Sequence, residues 1–279
     1  MKAMIFAAGL GTRLKPITDT MPKALVPVCG QPLLYHVVTK LVAAGYDDLV
    51  VNVHHFPDQI IHYLHSHDFG ARISISDERD FLRETGGGIK YAAPLLLKEE
   101  IPGQAGNDGV AGNDGVAGND GGAGNDGGSG NDEPFLVHNV DIVSNLDLGW
   151  FREQHRPGAL ATLVVSERKT QRYFLFDEDN RLKGWTNIVT GEVRSPFPDI
   201  DPDRCRKLAF AGIHLMSPAI FDAFDRYGFG DRFSIVDFYL KACADHPVYA
   251  ALPPSLQLVD VGKKETLSEA ERVCEAILR

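Results

Sequence analysis

The chain has 279 residues, of which 44% are hydrophobic and 24% are charged, and its formal net charge is −10. This composition is close to that of average globular proteins and permits a sizeable core. The acidic balance argues against a general nucleic-acid binder, which normally presents a basic face. The N-terminal apolar run is too short for a secretory signal, and no stretch approaches the ~20 apolar residues of a membrane span. These features predict a soluble, cytoplasmic protein.

Apolar strands and helices alternate along the chain. The continuous apolar run at 2–8 predicts a strand buried on both faces, and DLVVNV at 48–53 predicts the next buried strand. Residues 32–44 have the spacing of a helix that ends at Gly45. The other predicted elements are a helix at 59–66, strands at 71–76, 134–137 and 160–165, a hairpin region at 172–194 and an amphipathic helix at 264–279. Repeated strand–helix units predict an α/β fold with a mainly parallel sheet that is covered on both faces.

A low-complexity segment interrupts this order. Residues 105–132 repeat AGNDGV or AGNDGG and contain no large apolar side chain, so they cannot bury enough surface to offset their ordering entropy. Calcium-binding β-roll repeats have a period of about nine residues and an apolar position, and this segment has neither. We expect residues 1–279 to form one domain, with an exposed insertion at about 103–132.

A loop rich in glycine and proline follows the first predicted strand. Its backbone N–H groups can line an anion pocket, and its glycines let the chain approach phosphates closely. Arg13 and Lys23 add a positive charge near each end of the loop. A dinucleotide fingerprint would need a third glycine where this chain has Leu14, and a Walker A loop would need Gly-Lys-Ser/Thr. The loop therefore predicts a phosphate site of neither kind.

The same loop carries a resemblance to a known family. Its sequence, GLGTRLKPITDTMPKAL, resembles the signature of the sugar-phosphate nucleotidyltransferases, and VPVCGQPLLYHVV, RETGGGIKYAAPLL, AFAGIHLMSP and LVDVGKKETLSEAE are similar to further segments of that family. The similarity is closest to bacterial enzymes that make UDP-N-acetylmuramate, and it is also close to mannose-1-phosphate guanylyltransferases. It implies a Rossmann-like three-layer nucleotidyltransferase fold with a mainly parallel mixed sheet.

The resemblance also implies a reaction. A sugar 1-phosphate attacks the α-phosphate of a nucleoside triphosphate, UTP or GTP, and pyrophosphate leaves. Arg13 and Lys23 are the implied catalytic residues, and Lys23 would neutralise charge on the α-phosphate. The implied nucleotide-binding residues are Gly9, Gly11, Thr12, Arg13, Lys23, Glu84 and Gly87. No general base is required, because the sugar phosphate is already anionic and such reactions depend on positioning and charge stabilisation.

Two aspartates follow apolar strands. Asp141 ends FLVHNVD and Asp260 lies in LVDVG, in the strand-end setting where open α/β sheets bind ligands. The resemblance implies that both hold Mg²⁺, which binds through one or two carboxylates and keeps its other positions for phosphate and water. Capping of the following turn is the alternative role for each. The family commonly has glycine where this chain has Val140.

The sugar pocket is less well defined by the sequence. Candidate substrate residues are Asn139, Glu167, Trp185 and Gly212, although an isolated tryptophan is more often a packing residue. These residues distinguish neither uracil from guanine nor muramate from mannose. Neither nucleic acid nor a membrane is expected as a partner, and both a monomer and a homodimer are compatible with the sequence.

Two other classes of protein provide alternatives. A catalytically silent regulator that binds a sugar nucleotide would have lost the charged site residues, and all four of Arg13, Lys23, Asp141 and Asp260 are present. A nicotinamide-dependent enzyme would need an acidic residue at the end of the second strand, where this chain has histidines. The transferase is therefore the preferred hypothesis.

Overall fold

The computed structural model describes residues 1–97 and 133–278, so the predicted insertion at about 103–132 lies outside the described residues. The strands are β1 (Lys2–Phe6), β2 (Pro27–Val28), β3 (Gln31–Pro32), β4 (Asp48–Val53), β5 (Arg72–Asp77), β6 (Phe135–Asn139), β7 (Ile142–Ser144), β8 (Ala161–Ser166), β9 (Arg172–Phe176), β10 (Leu182–Asn187), β11 (Glu192–Arg194), β12 (Arg206–Met216), β13 (Val248–Ala251) and β14 (Leu258–Asp260). The helices are α1 (Leu33–Ala43), α2 (Pro57–His65), α3 (Glu84–Tyr91), α4 (Ala93–Leu96), α5 (Leu148–Glu153), α6 (Ile220–Arg226), α7 (Ile235–Ala242) and α8 (Leu267–Leu278).

The central sheet is mixed. Its strands β5, β4, β1 and β6 are parallel neighbours in that order, and β12 then joins β6 in the antiparallel direction. The long strand β12 also pairs with β8 and with β9, so that the sheet branches into a β9–β10–β11 meander. This arrangement confirms the predicted α/β, Rossmann-like fold and the predicted hairpin region.

Successive side chains of a strand point to opposite faces of the sheet, so the sheet has an apolar core on each side, and helices cover both. In β1, Ala3 and Ile5 pack into one apolar core, and Met4 packs into the other. Helix α1 covers the first face with five buried side chains: Leu33, Leu34, Val37, Val38 and Leu41. Helices α6 and α7 cover the second face. Among the described residues, no helix is long and apolar enough to cross a bilayer.

Two buried histidines are expected to make the fold sensitive to acid. Burial lowers the pKa of His214 to about 3 and that of His138 to about 4. Both lie below the value of about 6.5 expected in the unfolded chain. The stability that depends on neutral histidines is therefore present above pH ~6.5 and is lost as the pH falls towards the folded pKa values, by up to about 1.4 kcal/mol per pH unit for each histidine.

Urea unfolding at pH 7 and pH 5 measures this dependence. We expect His214→Phe to make the decrease in the free energy of unfolding shallower, even though Tyr239 loses the partner of its hydroxyl group. The exposed His65→Gln variant is the control. An equally steep decrease in His214→Phe and in the unmodified chain would contradict this explanation.

Candidate active site

The loop after β1 folds back on itself. Gly11 has φ +62°, and a Cβ there would lie 2.8 Å from Cγ2 of Thr18, so this position requires glycine. The Thr18 hydroxyl donates to the Gly11 carbonyl at 2.8 Å, which closes the loop. Thr12 and Arg13 are exposed residues of a single turn of 3₁₀ helix, whereas Lys23 is only 7% exposed. The loop therefore directs its two cations to different environments.

A cavity of 410 Å³ lies where β1 and β6 end. One side is built on Asn52, whose Oδ1 accepts hydrogen bonds from the N–H groups of Ala7 and Ala8 at 2.8 and 3.3 Å. Its Nδ2 donates to the buried Glu78 carboxylate at 2.8 Å. Burial raises the pKa of Glu78, although the hydrogen bonds from Asn52 and from the Arg83 backbone oppose this effect. The end of β1 is thus fixed by a buried polar network at the cavity wall.

Lys23, Asp141 and Asp260 meet beside this cavity. The Lys23 ammonium contacts the Asp141 carboxylate directly. Strand β14 pairs with β7, and the Val261 N–H donates to the Asp141 carbonyl at 2.8 Å, so the two aspartates are held next to each other. Burial and the charge of Asp141 raise the pKa of Asp260, while Lys23, Arg13 and Arg168 lower it.

This pair of carboxylates fits a divalent cation. Oδ1 of Asp260 is buried and has no hydrogen-bond partner among the described residues, and its ionised form is disfavoured by the nearby Asp141. A divalent cation held by the two carboxylates would relieve both costs. Two carboxylates suit Mg²⁺, which fills its remaining positions with phosphate and water. No cluster of three or more His, Cys, Asp or Glu side chains suited to a metal occurs within the described ranges.

A second cavity of 690 Å³ adjoins the first, and Ser234 lines both. Three aromatic side chains, Phe174, Trp185 and Phe210, form part of its wall. Seven charged side chains also line it: Arg13, Arg168, Arg172, Arg194, Lys263, Asp237 and Asp260. Asp260 thus borders the second cavity while Asp141 borders the first, and the acidic pair lies at the junction between the two.

The predicted site residues fall into three groups. Gly9, Lys23, Glu84, Asn139 and Asp141 line the first cavity. The second cavity receives Arg13, Trp185 and Asp260. The other predicted residues, Gly11, Thr12, Gly87, Glu167 and Gly212, line neither cavity.

Four of these remaining residues have contacts elsewhere. Gly11 packs on Thr18 within the loop, and a Cβ on Gly212 would lie 2.6 Å from the side-chain Nδ2 of Asn139. A Cβ on Gly87 would lie 2.3 Å from the carbonyl oxygen of Asp231, so this glycine permits a close backbone contact within the chain. Glu167 borders a separate depression of 500 Å³ near the β9–β10 hairpin.

Several cavity residues were not predicted from the sequence. Asn52 and Glu78 line the first cavity, and Arg168, Arg172 and Lys263 line the second. Asn52 is a polar residue inside the buried apolar part of the strand DLVVNV, and this was a signal for it. The arginines come from a polar stretch, ERKTQR, whose position depends on the branching of the sheet.

Comparison with known proteins shows similarity to nucleotidyltransferases, strongest in the N-terminal part of the chain. Residues 2–106 match the family model described as "Nucleotidyl transferase". The N-acetylmuramate alpha-1-phosphate uridylyltransferase of Caulobacter vibrioides is 50% identical over 97 residues, which cover 34% of this chain and 40% of that protein. The mannose-1-phosphate guanyltransferase of Yarrowia lipolytica is 28% identical over 229 residues, covering 81% of this chain and 52% of that protein. The chain thus spans about half or less of the length of these curated relatives.

The chain is thus similar to sugar-phosphate nucleotidyltransferases, and the family model itself matches residues 2–106. Solved structures show the same fold over nearly its full length. HddC from Yersinia pseudotuberculosis aligns with a TM-score of 0.67 at 20% identity and covers 97% of this chain and 98% of its own. The inositol-1-phosphate CTP transferase from T. maritima aligns with a TM-score of 0.69 at 15% identity and covers 99% of this chain and 95% of its own.

Proposed function

We propose that this protein is an enzyme that joins a sugar 1-phosphate to a nucleoside triphosphate and releases pyrophosphate. The observation that carries the proposal is the junction of two cavities at Lys23, Asp141 and Asp260. One cavity can hold a nucleotide and the other a sugar phosphate, with the reacting phosphates meeting between them. An oxygen of the sugar phosphate attacks the α-phosphorus, and the bond from that phosphorus to the β-phosphate oxygen breaks.

The charged residues have separate roles in this proposal. Lys23 neutralises charge that develops around the α-phosphate, and Arg13 binds the triphosphate from the rim of the second cavity. Asp141 and Asp260 would hold Mg²⁺, which would supply positive charge to the phosphates. The main contribution of the protein is to align two anions that would otherwise repel each other. Gly9, Gly11 and Thr12 are assigned to the triphosphate as further predictions.

The first cavity is assigned to the base and ribose. Glu84 lies at its rim, and the Glu78 carboxylate is a buried acceptor suited to an N–H group on a base. Both uracil and guanine present such a donor, so this feature does not choose between UTP and GTP. HddC, a neighbour in fold, has been crystallised with GMP-PN. The assignment of Gly87 to the nucleotide stays a prediction.

Our preferred product is UDP-N-acetylmuramate, and the alternative is GDP-mannose or another NDP-hexose. The uridylyltransferase from Caulobacter vibrioides, at 50% identity over 97 residues, supports the first choice, and the longer match to the guanyltransferase from Yarrowia lipolytica, over 229 residues, supports the second. Of the four predicted substrate residues, only Trp185 lines the second cavity, whereas Asn139 lines the first and Glu167 and Gly212 line neither. Their assignment to the sugar stays a prediction. Cytoplasmic localisation, a single domain and a monomeric or dimeric state are likewise predictions.

Pyrophosphate release in the presence of Mg²⁺ tests the proposal. UTP, GTP, CTP and dTTP are each combined with a panel of sugar 1-phosphates that includes N-acetylmuramate 1-phosphate and mannose 1-phosphate. Release that requires one nucleotide–sugar pair would support the transferase and identify its substrates. Thermal stabilisation by nucleotides without release from any pair would instead favour the silent regulator and overturn the proposal.

A further inference from the structure

The second cavity carries a surplus of positive charge. Five cationic and two acidic side chains line it. Arg194 pairs with Asp237 at 2.6 Å, and Arg13 and Arg168 lie close enough to Asp260 to act on its charge. Arg172 has no ion pair within the described part of the chain. The surplus is therefore available to an anionic ligand.

Arg172 stands beside an apolar floor. It is the first residue of β9, and Phe174 lies two residues further along, so both side chains are on the same face of the sheet. Trp185 of β10 is directly opposite Phe174, and Arg194 of β11 is directly opposite Trp185. The ring of Phe210 lies 5.9 Å from that of Phe174. A sugar ring resting on this floor would have Arg172 at its edge.

The other cations suffice for the phosphates of the proposed reaction. Lys23 lies at the junction of the cavities, and Arg13 and Arg168 lie near Asp260, where the 1-phosphate has to approach the triphosphate. The Arg168 guanidinium is oriented by donating to the Phe210 carbonyl at 3.0 Å. Arg172 follows four residues later, on the strand that forms the floor. A neutral hexose 1-phosphate would leave this guanidinium without a partner.

We propose that Arg172 binds a carboxylate on the sugar, so that the second cavity selects acidic sugar 1-phosphates over neutral ones. This inference rests on the transferase function proposed above. A guanidinium recognises a carboxylate through two parallel N–H···O hydrogen bonds, which lysine or a neutral side chain cannot reproduce. The carboxylate need only project from the ring towards β9, as a lactyl ether or a uronic acid group does.

A matched pair of substrates isolates the carboxylate. N-acetylmuramate 1-phosphate and N-acetylglucosamine 1-phosphate differ only in the lactyl group, and kcat/KM for pyrophosphate release is measured for each with UTP and with GTP. We expect the unmodified protein to favour the acidic sugar by roughly 10- to 100-fold, the range expected for a charged hydrogen-bonded pair. Arg172→Gln is expected to move the ratio of the two values towards one, mainly through KM for the acidic sugar.

The control is Arg204→Gln, because Arg204 is an exposed arginine outside both cavities. It should retain the ratio of the unmodified protein. Equal use of both sugars by the unmodified protein, or an equal loss for both sugars in Arg172→Gln, would overturn the inference and leave the transferase function standing. Absence of release with every sugar and nucleotide in the panel would overturn the transferase function, and the inference with it.

Discussion

Asp141→Asn is expected to lower kcat for pyrophosphate release by roughly 10³-fold, the scale of losing one preorganised electrostatic contribution at a reacting centre. The amide has nearly the shape of the carboxylate but carries no charge. It would therefore weaken the proposed cation site that Asp141 forms with Asp260 and remove the ion pair with Lys23. Lys23 is only 7% exposed, and the substitution would leave it as a buried charge without that partner.

Steady-state kinetics with the best nucleotide–sugar pair measures this loss. Thermal unfolding with and without Mg²⁺ is recorded in parallel, and Mg²⁺ should stabilise the unmodified protein but not Asp141→Asn. The matched control is Asp199→Asn, an exposed aspartate outside both cavities, which should retain activity and the response to Mg²⁺. Retention of more than about a tenth of kcat in Asp141→Asn would contradict a role for this carboxylate at the reacting phosphates.

Strand positions could be predicted from the sequence where the local residue pattern alone determines them. The strand at 48–53 was predicted with the bounds that β4 has, because most of its side chains are apolar and it is buried on both faces of the parallel sheet. The first strand was predicted two residues too long. The N–H groups of Ala7 and Ala8 bond to the Asn52 side chain, and the strand ends at Phe6. A side chain distant in sequence decides that boundary.

Elements that depend on distant contacts were missed. Helix α3 begins at Glu84, which has φ +60°, and contains three consecutive glycines, a composition that disfavours helix. It is held by tertiary contacts, because the N–H groups of Gly86 and Gly87 both bond to the Phe233 carbonyl. Strand β12 contains Gly212 at φ +74° and a register shift between Phe210 and His214, which obscure its regular alternation.

The candidate site was predictable where its residues lie in short local motifs, and not where it depends on distant strand pairing. Lys23, Asp141 and Asp260 lie in short motifs that the resemblance covers, and the structure brings these three together. The second cavity depends on which strands β9 and β10 join, and this pairing is set by the branching at β12. No local pattern specifies that branch. Arg168 and Arg172 were consequently not recognised as neighbours of Trp185.

Val140 stands where the family commonly has glycine, and the fold accommodates its side chain. Its side chain is 4% exposed and belongs to the first apolar core, and its N–H donates to the Phe6 carbonyl at 3.1 Å. The backbone therefore keeps its position at the strand end. The valine side chain also borders the first cavity, so it contributes to the shape of the proposed nucleotide site.

Gly87→Ala is expected to lower the free energy of unfolding by about 1–3 kcal/mol, the usual cost of inserting a group into a well-packed site. A Cβ at this position would lie 2.3 Å from the Asp231 carbonyl oxygen and 3.2 Å from Cα of Arg232. Both neighbours are backbone atoms, so the overlap cannot be relieved by turning a side chain. Helix α3 and the segment that carries Ser234 would have to move apart, and both cavities share that residue.

Urea unfolding without ligands, followed by kinetics, separates this role from direct nucleotide binding. Gly230→Ala is the matched control, because a Cβ at Gly230 would meet no atom within 4 Å. It should be neutral or slightly stabilising, since alanine restricts the unfolded chain. If Gly87→Ala instead unfolds like the unmodified protein and only its KM for the nucleotide rises, then Gly87 contacts the nucleotide, as predicted from the sequence, and the packing explanation fails. A loss of stability accompanied by higher KM values for both substrates would mean that α3 supports the two halves of the site through the Ser234 segment.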